Sequence, residues 1–193
     1  MQPQHLHFHG PYGLCSETAD VLDGCEHQNS GGLYLWVAAQ NTGRFKISYL
    51  GETSRSFYSR TKEHIVQTLG GNYRVIDADQ MRLGVEQIIW DGLWRRDARK
   101  RLPEFLTRYE ELAPLIKRYL YGQAVFVAPF QGERRLLRRI EGALAMHMRS
   151  DSNASSLFPS DIRYVVRNAT EAAVTVTVSA DQHIVGLPTE VQV

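Results

Sequence analysis

The sequence predicts an α+β fold: a small three-stranded antiparallel sheet flanked by helices, with a helical insertion and a β-rich C-terminal tail. Three observations predict it. Two β-prone segments, 33–39 and 44–50, flank Gln40-Asn41-Thr42-Gly43, whose turn chemistry favours a hairpin. The continuously apolar run Ala124 to Ala128 ends at Pro129 and reads as a strand buried in the sheet. Long stretches between and after these strands carry the apolar period of helices.

Taken in order, residues 1–31 form an N-terminal extension. His5, His7 and His9 alternate there, so on a strand the three imidazoles share one face and could bind a transition metal. No Cys or carboxylate completes the set nearby in sequence, so solvated strand-edge histidines are the favoured reading. Cys15 and Cys25 match neither a disulfide framework nor a zinc pattern and are expected to be free thiols.

The main domain, 32–153, starts with the hairpin. After Gly51, Thr53 or Ser54 can cap a helix whose stripe is Phe57, Thr61, Ile65 and Leu69, stopped by Gly70-Gly71. A helical insertion, 70–122, follows. One helix is expected from Asp79 to Arg96, with Met81, Val85, Ile88, Ile89 and Leu93 buried, and another after Pro103, which suits a first helical turn. Pro114 can kink or split the latter. Beyond the apolar strand, a helix from Glu133 to Met148 buries Leu136, Leu137, Ile140, Ala143, Leu144 and Met148, which leaves Glu141 beside the stripe. The tail, 154–193, offers strands at 163–167 and 173–179 and is expected to pack on the same domain.

Composition excludes some classes. With 43% hydrophobic and 22% charged residues and no apolar run near the eighteen or so that span a bilayer, no membrane association is expected. Met1 to Gly10 has no basic flank and apolar core, so a secretory leader is not expected and the cytoplasm is the default location. The net charge of +1 is unevenly spread: residues 32–150 hold twenty bases against twelve acids, while both ends are acidic. Such a basic block suits a polyanion partner, because phosphate neutralisation supplies most nonspecific affinity.

Gly32-Leu33-Tyr34 and Tyr49-Leu50-Gly51, then Arg60 and His64 one helical turn apart, then Glu141 and Asn153, form an ordered set. In this order and spacing the six polar positions resemble the GIY-YIG nuclease superfamily, over 32–69 and 123–153, and most closely its free-standing, restriction-type members. The resemblance implies a metal-dependent DNA endonuclease. By it, Tyr34 lies near the attacking water, Tyr49 and Arg60 contact the scissile phosphate, Glu141 binds the metal, His64 assists and Asn153 helps hold the site together. Leu33 and Leu50 stand where isoleucines are usual. The Tyr49–Arg60 interval is one residue longer than the commonest spacing, which makes Arg55 a rival; the following His64 favours Arg60.

The residue types suit the chemistry. One carboxylate, with water and substrate phosphate completing the shell, is a typical Mg²⁺ or Mn²⁺ site, and Glu141 is the acid placed to provide it. A guanidinium fork at Arg60 would match a phosphate as Lys would not. A tyrosine acting as base would need a lowered phenol pKa. Arg95, Arg96, Arg99, Lys100 and Arg101 are the candidate DNA-gripping surface, with Arg134 and Arg138 on the Glu141 edge of its helix. A homodimer would let one site per subunit cut each strand. A noncatalytic nucleic-acid-binding module of the same fold and a DNA-degrading toxin are the alternatives.

Overall fold

The computed structural model describes residues 4–14, 20–94, 98–151 and 164–193. Strand β1 (Gln4–Gly13) precedes the expected hairpin of β2 (Gly32–Ala39) and β3 (Phe45–Thr53). The turn closes with Gln40 N–H donating to Arg44 O at 2.9 Å and Gly43 N–H donating to Gln40 O at 3.0 Å. Helix α1 (Phe57–Leu69) is capped by Ser56, whose hydroxyl accepts from Ser59 N–H. Neither Thr53 nor Ser54 caps it: Thr53 is still strand, and its hydroxyl accepts from Arg55 N–H at 3.0 Å.

The insertion differs from expectation. Instead of one helix from Asp79 to Arg96, α2 (Ala78–Arg82) ends after five residues. Gly84 then takes φ +79°, a conformation that side-chain-bearing residues avoid. The chain continues extended, so that β5 (Ile88–Trp90) pairs antiparallel with β4 (Val75–Ile76). Met81 of the expected stripe is buried, but Val85 and Ile88 are exposed. Helices α3 (Ala98–Thr107) and α4 (Tyr109–Tyr121) divide at Arg108; Pro103 and Pro114 lie inside them, not at the division. Strand β6 (Gln123–Pro129) and helix α5 (Arg134–Ser150) form where expected, and the tail supplies β7 (Thr175–Ala180), β8 (Ile184–Val185) and β9 (Glu190–Gln192). Residues 164–167 form no strand.

The expectation of a small three-stranded antiparallel sheet is overturned. β2, β3 and β6 do pair antiparallel, but within a curled, mixed seven-stranded sheet of order β8-β3-β2-β6-β1-β7-β9. The N-terminal strand joins beside β6, and β7 then pairs parallel to β1. The reason lies in the burial of β6: Val125, Phe126, Val127 and Ala128 are all fully buried, so both its edges and both its faces are covered.

Alternation along the strands sends side chains into two cores. Leu33, Leu35 and Val37 of β2 face α5 with Ile140, Leu144 and Met148, while Tyr34, Trp36 and Ala38 face α1 and α4 with Phe57, Ile116 and Leu120. Among the described residues no helix is long and apolar enough to cross a membrane.

Candidate active site

Pairing places the two glycine-tyrosine strings side by side. Tyr34 lies opposite Gly51 and Trp36 opposite Tyr49, so both phenols emerge on the α1 face with ring centroids 5.9 Å apart. Gly51 is required by that proximity. A Cβ there would stand 2.5 Å from the Tyr34 hydroxyl and 2.8 Å from a Tyr49 ring carbon. Gly32 is required by the sheet: at φ +154°, its Cβ would stand 2.1 Å from Ala128 O.

Arg60 and His64, one turn apart on α1, both reach Tyr34. The Arg60 Nε donates to the Tyr34 hydroxyl at 3.0 Å, and His64 Nε2 lies 3.0 Å from the same oxygen. Arg60 also pairs with Glu63 at 3.2 Å, while the rival Arg55 points outward onto Glu63. The His64 ring is enclosed by Tyr34, Trp36, Tyr49 and Tyr73, with centroids 5.1 to 5.8 Å away. Burial, with the Arg60 charge adding to it, pulls the His64 pKa down to about 3, so the ring is neutral near pH 7. Burial first, and then Tyr49, pushes Tyr34 well above the ordinary phenol value; burial also raises Tyr49. Neither phenol has the lowered pKa that a base near neutrality needs.

Glu141 comes from the opposite side of the sheet, because α5 packs on the other face. The end of β3 gives it a way across. Among the described residues β8 pairs with β3 only at Phe45 and Lys46, and farther along that strand Glu52 lies close enough to Glu141 to act on its carboxyl. There Glu141 adds to the raised pKa of Tyr49 and is drawn down by Arg60, so acid, phenol and guanidinium share one field. Burial first, and then the neighbouring Glu52 charge, push the Glu141 carboxyl up to about 7 against Arg138 and Arg60. It is half-buried, not sealed in the core.

Two groups missed in the sequence belong here. Glu52 places one oxygen 3.1 Å from Arg134 and 3.9 Å from Arg138, while its Oε2 is buried with no hydrogen-bond partner. Tyr164, in the segment after α5, has a buried hydroxyl with no partner; burial raises its pKa first, and the charges of Glu141 and Tyr49 add to the rise. Gly142 admits that segment, since a Cβ there would lie 2.5 Å from Val165 O. A glycine directly after the glutamate, inside a helix, was the available signal.

No family model, curated protein or solved structure matches the chain.

Of the other expected residues, Asn153, Arg95 and Arg96 lie outside the described residues, and Arg99 belongs to α3. Lys100 is exposed. Arg101 is engaged: it donates to Gly92 O at 2.8 Å, pairs with Asp91 at 3.6 Å and lies over the Trp90 ring at 4.7 Å. Arg134 and Arg138 flank Glu52 on the outer side of the site.

Proposed function

We propose that this chain is a divalent-metal-dependent endonuclease that hydrolyses DNA phosphodiester bonds, related to the GIY-YIG superfamily by its site residues and of the restriction or genome-defence kind. The cytoplasm is its proposed location. The supporting observation is the convergence of Tyr34, Tyr49, Arg60 and His64 with a helix-borne carboxyl, Glu141, at the end of β3. An acid pushed up to about 7 beside a second carboxylate whose inner oxygen lacks a partner supports the same reading.

The donor set fits Mg²⁺ or Mn²⁺. It is all oxygen, and a dication would satisfy the orphan Glu52 Oε2 and favour the ionised form of Glu141. Glu141, with Glu52 beside it, would hold the ion. When bound, it would neutralise charge on the phosphate and stabilise the departing alkoxide.

The chain's own groups do the rest. Arg60 presents a fixed charge to a phosphate oxygen, its Nε already held by Tyr34. Neutral His64 fixes the rotation of the Tyr34 hydroxyl, and through it the hydroxyl of Tyr49, so that the two phenols orient water and phosphate for in-line attack. Arg134 and Arg138 lie where the backbone of a bound strand would leave the site.

Supercoiled plasmid incubated with the protein and Mg²⁺ is expected to be nicked or linearised, with EDTA and Glu141→Ala abolishing the reaction. Binding without cleavage in Mg²⁺ and in Mn²⁺ would instead identify a noncatalytic nucleic-acid-binding module. Scattered cut ends would favour a degradative toxin over a restriction-type enzyme.

A further inference from the structure

His5, His7 and His9 do not lie on a sheet edge. β1 is flanked by β6 and β7, with Leu6 and Phe8 turned into the α5 core and the three histidines on the opposite face. The rings form a row that His27, from the segment before β2, extends: centroid spacings are 6.1 Å from His5 to His7, 4.6 Å to His9 and 4.4 Å to His27. The carboxylate that the local sequence lacks arrives from the far end of the chain. Asp181, just after β7, places Oδ1 2.8 Å from His7 Nε2 and Oδ2 4.0 Å from His9 Nδ1.

We propose that His7, His9 and Asp181, with His27 as the fourth ligand, form a binding site for a zinc-like divalent transition metal. It would clamp the N-terminal strand to the C-terminal tail. The donor atoms of His7, His9 and Asp181 all lie within 4.8 Å of one another. Ligands about 2.0–2.2 Å from a tetrahedral ion stand somewhat over 3 Å apart, so small side-chain rotations suffice. His7 and His9 are partly buried and Asp181 is exposed.

The surroundings are those of a held site. His7 Nδ1 lies 2.7 Å from Ser179 Oγ, which fixes the ring and turns Nε2 toward Asp181, and His5 Nε2 lies 2.9 Å from the same hydroxyl. Gly10 N–H donates to Asp181 Oδ2 at 2.9 Å, orienting the carboxylate. Metal-ligating histidines and carboxylates are characteristically anchored in this way by groups behind them. Imidazole and a single carboxylate select zinc-like ions over Mg²⁺, so this centre is chemically distinct from the all-oxygen site at Glu141.

The test is titration of the full chain, stripped with chelator and dialysed, with Zn²⁺ by calorimetry and with Co²⁺ by its visible absorption. One equivalent should bind in the presence of excess Mg²⁺ and raise the melting temperature. His9→Gln, Asp181→Asn and His27→Gln should each weaken binding by more than the ~10–100-fold that loss of a supporting partner costs. Glu141→Gln should bind as the parent does, and His9→Gln should keep any Mg²⁺-dependent plasmid cleavage, so failure here and failure of the nuclease reading are separate results. Absence of one-equivalent binding by the folded parent chain, or binding unchanged in Asp181→Asn and His27→Gln, would overturn the proposal. Both of those positions are in loops, so the test does not depend on substituting the central strand.

Discussion

Replacing Glu141 with Gln should stabilise the metal-free protein, by an amount that grows with pH. The folded carboxyl keeps its proton up to about 7, whereas the unfolded chain loses it near the ordinary 4.5. Between these values the folded state holds more protons, so the contribution of Glu141 is fully present below about 4.5 and is lost as pH rises through about 7. The interval corresponds to about 3 kcal/mol once both states are ionised. Glu141→Gln keeps the shape and stays neutral. Its stability relative to the parent should therefore rise by about 2–3 kcal/mol between about pH 5 and about pH 8. Urea unfolding in EDTA, followed by the fluorescence of buried Trp36 and Trp90, measures it. Adding Mg²⁺ near pH 8 should then stabilise the parent and not the variant. A stability difference that is flat or falls with pH would refute the argument that burial and Glu52 hold this acid protonated.

Three further substitutions probe the rest of the site. Tyr34→Phe removes the oxygen shared by Arg60 and His64, strands a buried ring nitrogen at a cost of about 1–3 kcal/mol, and should reduce plasmid cleavage with little change in the Mg²⁺ requirement; denaturation and a metal titration check both parts. Gly51→Ala places a Cβ 2.5 Å from the Tyr34 hydroxyl, where ordinary contact begins at 3.4 Å, and a displacement near 1 Å should cost on the order of 10²-fold in cleavage rate. Replacing Arg134 and Arg138 together with Ala should lower the slope of log binding constant against log salt by about 2 if both meet phosphates of duplex DNA, as a filter-binding series over salt concentration would show.

The fold was legible where local chemistry decides it. The turn at 40–43, the buried run ending at Pro129 and the amphipathic stretch through Leu144 each produced the expected element, because short-range geometry and one-sided burial are written in adjacent residues. The size of the sheet was not, since it depends on pairings such as Gln4 with Val176, between the two ends of the chain. The period that suggested a helix over 79–96 failed for a different reason. Its apolar positions match a helical stripe, but Gly84 at positive φ breaks the helix and the residues beyond it extend, a decision made by one glycine against five apolar side chains.

The site divides along the same line. Tyr34, Tyr49, Arg60 and His64 could be found from sequence because one hairpin and the helix that follows it bring them together, and their spacing is their geometry. Glu52 and Tyr164 could not, because each matters only through its nearness to Glu141, Glu52 from the edge of β3 and Tyr164 from the segment that folds back on α5. Asp181 is the same case at the histidine row: a ligand set that looks incomplete within the first thirty residues acquires its carboxylate through the parallel pairing of β1 with β7. Asp181 is placed by strand register. A slip of one residue between β1 and β7 would turn the histidines into the α5 core and carry Asp181 out of line with them, so the metal site and the closure of the sheet should be lost together.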